Sequence, residues 1–81
     1  MTVWTLHAAY DLEGRVWYTV DSDVPGLVTE GETLERLRER ATAVMPELLA
    51  DNAHLIPEER RAGPHSLRLV AFHESTAPVA A

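Results

Sequence analysis

Apolar residues dominate Val3–Tyr10 (VWTLHAAY), a run rich in β-branched and aromatic residues that only Thr5 and His7 interrupt, and the pattern predicts a strand. Asp11–Arg15 (DLEGR) then puts Gly14 in a short polar connection, which predicts a hairpin turn. A second strand is expected at Val16–Asp21, with Val16, Tyr18 and Val20 on one face and Trp17 and Thr19 on the other. Pro25-Gly26 closes the next turn, and Leu27–Glu30 makes a short third strand, completing an antiparallel meander.

After Gly31 the period lengthens. Leu34, Leu37, Ala41, Val44 and Leu48 form an apolar stripe at helical spacing, and Thr33 stands before them as a predicted N-cap. Glu35 occupies the first turn, where the helix dipole favours an anion. On the outer side, Glu35 with Arg38 and Arg36 with Glu39 lie at ion-pair spacing. Pro46 has no N–H and crowds the preceding turn, so a kink or break is expected near Met45, with a short second helix over Pro46–Asp51. Asn52–His65 reads as a connection with a helical turn at Pro57–Arg61, and Ser66–Glu74 as the fourth strand. Residues 1–74 make one domain, and 75–81 are expected to be a disordered tail.

The order β-β-β-α-β defines an α+β fold, with the helix on one sheet face and a right-handed crossover to the last strand. A sheet covered on one side should alternate cleanly between apolar and polar. Here Trp4, Leu6 and Tyr10 lie opposite Val3 and Ala9, and Leu67 and Leu69 lie opposite Val70 and Phe72. The second face or an edge is therefore expected to be covered by another chain.

Length strengthens that expectation. Eighty-one residues make a single domain with a thin core. With no cysteine, neither a disulfide nor a thiolate zinc site can reinforce it. Association remains, and a two-fold homodimer is expected. No run approaches the ~20 apolar residues of a membrane span. The opening MTVWTLHAAYD lacks the basic and long apolar regions of a signal peptide, so a cytoplasmic location is expected.

The net charge is −6, and it is unevenly spread. Residues 1–32 hold six acids against Arg15 alone, a balance of −5, while the remainder holds seven acids and six arginines, a balance of −1. Nucleic-acid binders gather positive charge on one face, so this distribution argues against such a role and for a basic protein partner. Asp21, Asp23, Glu30 and Glu32 are the candidate partner-binding acids.

Candidate chemistry is sparse. None of His7, His54, His65 and His73 falls in a close ligand pair, although His7 and His73 become neighbours if the first and last strands pair. Asp21 and Asp23 could echo a two-metal nuclease carboxylate site, but their place before Pro25-Gly26 favours capping of local amides. Ser22, Ser66 and Ser75 lie in no nucleophile elbow, and there is no Gly-rich phosphate loop. The expectation is a non-enzymatic domain with no catalytic residue, no metal and no cofactor. Trp4, Trp17 and Phe72 are candidate interface anchors, with Tyr18 considered beside them, each weighed against a place in the core. An RNA-binding module that stacks bases on Trp4 or Trp17 is the alternative, as is a structural homodimer.

Gly14-Arg15-Val16-Trp17-Tyr18, then Asp21-Ser22-Asp23-Val24-Pro25-Gly26-Leu27-Val28-Thr29-Glu30, then Thr33-Leu34-Glu35-Arg36-Leu37, with Pro46-Glu47-Leu48-Leu49 after them, resemble the HicB-like antitoxin family. The likeness is to a small uncharacterised branch with the pattern G-V-W … S-D-D-V-P-G-L … T-L-E-x-L … P-E-L-L, and it covers roughly residues 3–50 well and the rest loosely. The resemblance implies a partial ribonuclease H fold with the fourth strand parallel to the first, and it implies dimerisation. Family members neutralise a small basic ribonuclease toxin by covering its active surface. Classical members also carry a DNA-binding element, for which Ser75–Ala81 is too short and too neutral, so operator binding is not expected.

Overall fold

Side-chain alternation along β1 (Thr2–Asp11) sends Thr2, Trp4, Leu6 and Ala8 into the interior and leaves Val3 and His7 exposed. The computed structural model of the protein describes residues 1–72 and 77–80. The remaining elements are β2 (Val16–Ser22), β3 (Glu30–Gly31), an α-helix, α1 (Leu34–Asp51), 3₁₀ turns at Ala53–Leu55 and Glu58–Arg60, and β4 (His65–Phe72). The sheet order is β3-β2-β1-β4, with β1 antiparallel to β2 and parallel to β4. The expected β-β-β-α-β arrangement is the one observed.

The expected hairpin joins β1 and β2. Its left-handed residue is Arg15 (φ 55°), not Gly14. Arg15 N–H donates to the Asp11 carbonyl at 2.7 Å, and the Glu13 amide donates to the Asp11 carboxylate at 3.1 Å. The third strand is also shorter than Leu27–Glu30. Around Thr29 the contact with β2 runs through Thr19, whose amide donates to the Thr29 carbonyl and whose hydroxyl accepts from the Thr29 amide.

Thr33 caps α1 as expected, its hydroxyl accepting from the Arg36 amide at 3.0 Å, and both predicted ion pairs form. The expected break at Pro46 does not occur, and α1 runs through it to Asp51. Packing continues on both sides of the proline, with Met45 buried and Leu48 and Leu49 against the core, so the tertiary contacts hold the helix together. The buried seam is Leu37, Ala41 and Met45, spaced by four, and Val44 stays largely exposed. That seam meets Trp4, Leu6 and Ala8 of β1, with Val24, Leu27 and Ile56 closing the core from the connections.

Two glycines are demanded by this packing. Gly26 adopts φ 79°, open to glycine at little cost. Gly31 lies so close to α1 that a Cβ there would sit 2.6 Å from the Leu37 amide nitrogen. No helix among the described residues is long and apolar enough to cross a membrane. The expected extension of the last strand to Glu74 and part of the expected tail (75, 76 and 81) fall outside the described residues; 77–80 are exposed and carry no regular structure.

Candidate functional site

Because α1 covers only one face of the sheet, the side chains pointing the other way meet no second layer among the described residues. The registers identify them. Ala9 of β1 stands between Tyr18 of β2 and Phe72 of β4, and His7 stands between Asp21 and Val70. Thr5 and Val3 continue the face beside Arg68 and Ser66. The apolar members are well exposed: Phe72 at 70%, Tyr18 at 41% and Val70 at 40%. Such a cluster on a small domain marks a surface suited to contact with another molecule.

A bulge shapes this face. One step along β1, from His7 to Ala8, corresponds to two steps along β2, from Asp21 to Thr19, leaving Val20 as the extra residue at 57% exposure. Beyond the bulge the alternation of β2 is inverted. Asp21, which strict alternation would place with Trp17 and Thr19, joins the open face. There its carboxylate meets His7 Nδ1 at 2.5 Å, in an exposed pair.

The four candidate acids do not converge. Asp23 Oδ1 accepts from the Thr5 amide at 2.8 Å, and its Oδ2 pairs with Arg60 at 3.2 Å. The expected local amide cap belongs to neither aspartate. Ser22 supplies it instead, its hydroxyl accepting from the Val24 amide at 3.0 Å. Glu30 pairs with Tyr18, three residues before Asp21 and so roughly 10 Å away along β2. Glu30 and Glu32 are exposed at that other end. The structure therefore brings Asp21 to His7 and Asp23 to Arg60, and keeps Glu30 and Glu32 apart from both.

The aromatic candidates separate as well. Trp4 is 1% exposed and belongs to the core, so it offers no surface to a partner. Its indole N–H donates to His65 Nδ1 at 3.1 Å, and the Arg60 guanidinium lies 4.2 Å from its ring centroid. Trp17 is half-buried on the helix side, tilted against Tyr10 at 5.2 Å between ring centroids. The two residues named for base stacking are thus not on the open face. Phe72 alone of the three stands there, and Tyr18 joins it. Sequence reasoning passed over Arg60, which lay in a charged run read as connection, although its guanidinium also donates to the Val3 carbonyl at 2.8 Å.

No group of three or more His, Cys, Asp or Glu side chains gathers among the described residues. His73, expected beside His7, lies outside the described residues, and the partner of His7 on β4 is Val70.

Residues 3–80 match DUF1902, a domain of unknown function. A crystal structure of a hypothetical protein from the extremely thermophilic bacterium Thermus thermophilus is similar, with 37% identity and a TM-score of 0.65. The match covers 90% of this chain and 99% of that one. Among curated proteins none matches the chain.

Proposed function

The chain belongs to the DUF1902 family, a domain of unknown function, and on that footing we propose that it is a non-enzymatic domain that binds a partner protein through its open sheet face. The observation that carries this reading is the exposed apolar row of Phe72, Val70 and Tyr18 on a sheet whose other face is already packed. The net charge of −6 and the resemblance to HicB-like antitoxins favour a small basic partner of ribonuclease-toxin type. Asp21 and the acids at the β3 end would then steer association, while the apolar row supplies contact area.

The test is affinity purification of the tagged chain from its host, beside the Phe72→Ser and Tyr18→Ser variants. The expected result is a small basic protein at near-equal amount, released by high salt and lost from both variants. Recovery that is unchanged in the variants, or no recovered protein at native salt, overturns the reading.

Self-association is a second reading, favoured by β4. This eight-residue strand stands at the sheet edge, carries Val70 and Phe72 exposed, and contains neither proline nor lysine to block pairing. Sedimentation of the purified chain decides it: a dimer that Phe72→Ser returns to monomer supports this reading, and a monomer at all concentrations removes it.

A further inference from the structure

Away from the open sheet face, a cleft of about 370 Å³ lies where the second half of α1 meets the connection to β4. Leu49, Ala53 and Ile56 contribute its apolar lining, and Arg60, Arg61 and His65 its polar groups. A smaller cleft adjoins it and shares Leu49 and His65. The volume falls at the low end of the roughly 300–1,000 Å³ usual for small-molecule sites.

Each of these three polar side chains carries an N–H donor. Trp4 Nε1 can only donate, so the His65 Nδ1 that receives it carries no proton, and in neutral His65 the ring proton resides on Nε2. Arg60 is occupied by Asp23 and the Val3 carbonyl. Arg61 differs. Its Nε donates to the Ile56 carbonyl at 2.9 Å, which fixes the direction of the side chain, yet it enters no ion pair among the described residues. Among the described residues no acid lines either cleft. In a chain of net charge −6, this is a local patch of opposite sign over an apolar lining. The loop bearing it is held to β1, since Thr2 donates through its amide to the Pro64 carbonyl and through its hydroxyl to the Ala62 carbonyl, both at 3.0 Å.

We propose that this cleft binds a small monocarboxylic acid with an apolar tail. The carboxylate is received by Arg61 and by the His65 Nε2 proton, and the tail lies against Leu49, Ala53 and Ile56. An anchored guanidinium suits a carboxylate because its planar fork loses little freedom on binding. The apolar lining excludes ligands that carry charge alone.

The probe is octanoate, titrated into the ¹⁵N-labelled full chain, with octanol and acetate as controls. Saturable shifts centred on Leu49, Ala53, Ile56 and Arg61 are expected, with both controls at least about tenfold weaker. Arg61→Ala and Arg61→Glu should weaken octanoate by about tenfold or more and leave octanol unchanged. Arg61 is exposed, and an unchanged far-ultraviolet spectrum confirms that both variants fold. Equal binding of octanoate and octanol, shifts centred instead on Tyr18 and Phe72, or no saturation by roughly 10 mM overturns the proposal.

Discussion

The indole N–H of Trp4 donates to His65 Nδ1 at 3.1 Å, tying the buried face of β1 to the first residue of β4. Trp4 is almost wholly enclosed, so the hydrogen bond satisfies a donor with little access to water. His65→Ala should cost about 1–3 kcal/mol in urea unfolding, because it strands that donor. Trp4→Phe removes the donor and also trims the core. The double variant should lose less than the sum of the two, and strict additivity would show that the bond contributes nothing.

Arg60 joins three things: the Asp23 carboxylate, the Val3 carbonyl and the face of the Trp4 ring. The ion pair is partly exposed and screened, so Asp23→Asn should cost under about 1 kcal/mol. Arg60→Ala removes all three contacts and should cost more, about 1–2 kcal/mol. Chemical denaturation of the two variants side by side measures the difference, and equal losses would reduce Arg60 to its ion pair.

Gly31→Ala should destabilise the chain by about 1–3 kcal/mol, since the added Cβ meets the Leu37 amide nitrogen at 2.6 Å and the clash is with backbone. Thermal unfolding reads this directly. A neutral substitution would mean that β3 and the start of α1 separate freely.

Pro46 lies inside α1 and leaves the Thr42 carbonyl without its helical donor. Pro46→Ala should raise stability by about 1 kcal/mol or more, measured as a higher urea midpoint with an unchanged slope. A loss of stability would show that the proline ring itself packs usefully against the neighbouring cleft.

Phe72 separates folding from binding. At 70% exposure its replacement by serine should change stability by less than about 0.5 kcal/mol while abolishing capture of the partner. If Phe72→Ser unfolds the chain instead, the side chain belongs to the fold and not to a contact surface.

Much of the architecture was legible in the sequence because it depends on local chemistry. Period-two alternation marked β1 and β2, Thr33 marked the start of α1, and the ion pairs at spacing three followed from helix geometry. The surplus of apolar residues in the strands led to the expectation of a covering chain, and Val70 and Phe72 of that surplus are exposed in the single chain. What the tertiary structure decided was register and continuity. Strict alternation puts Asp21 beside Trp17 and Thr19, yet the bulge at Val20 turns it over to meet His7. Proline predicts a broken helix, yet packing on both sides of Pro46 keeps it whole. Trp4 and Phe72 look alike as aromatic strand residues, yet one is enclosed and the other open, because enclosure depends on which side of the sheet the helix takes. The Trp4, Arg60 and His65 cluster was beyond reach for a similar reason. Trp4 stands far along the chain from the other two, and only the parallel pairing of β1 with β4 brings them together.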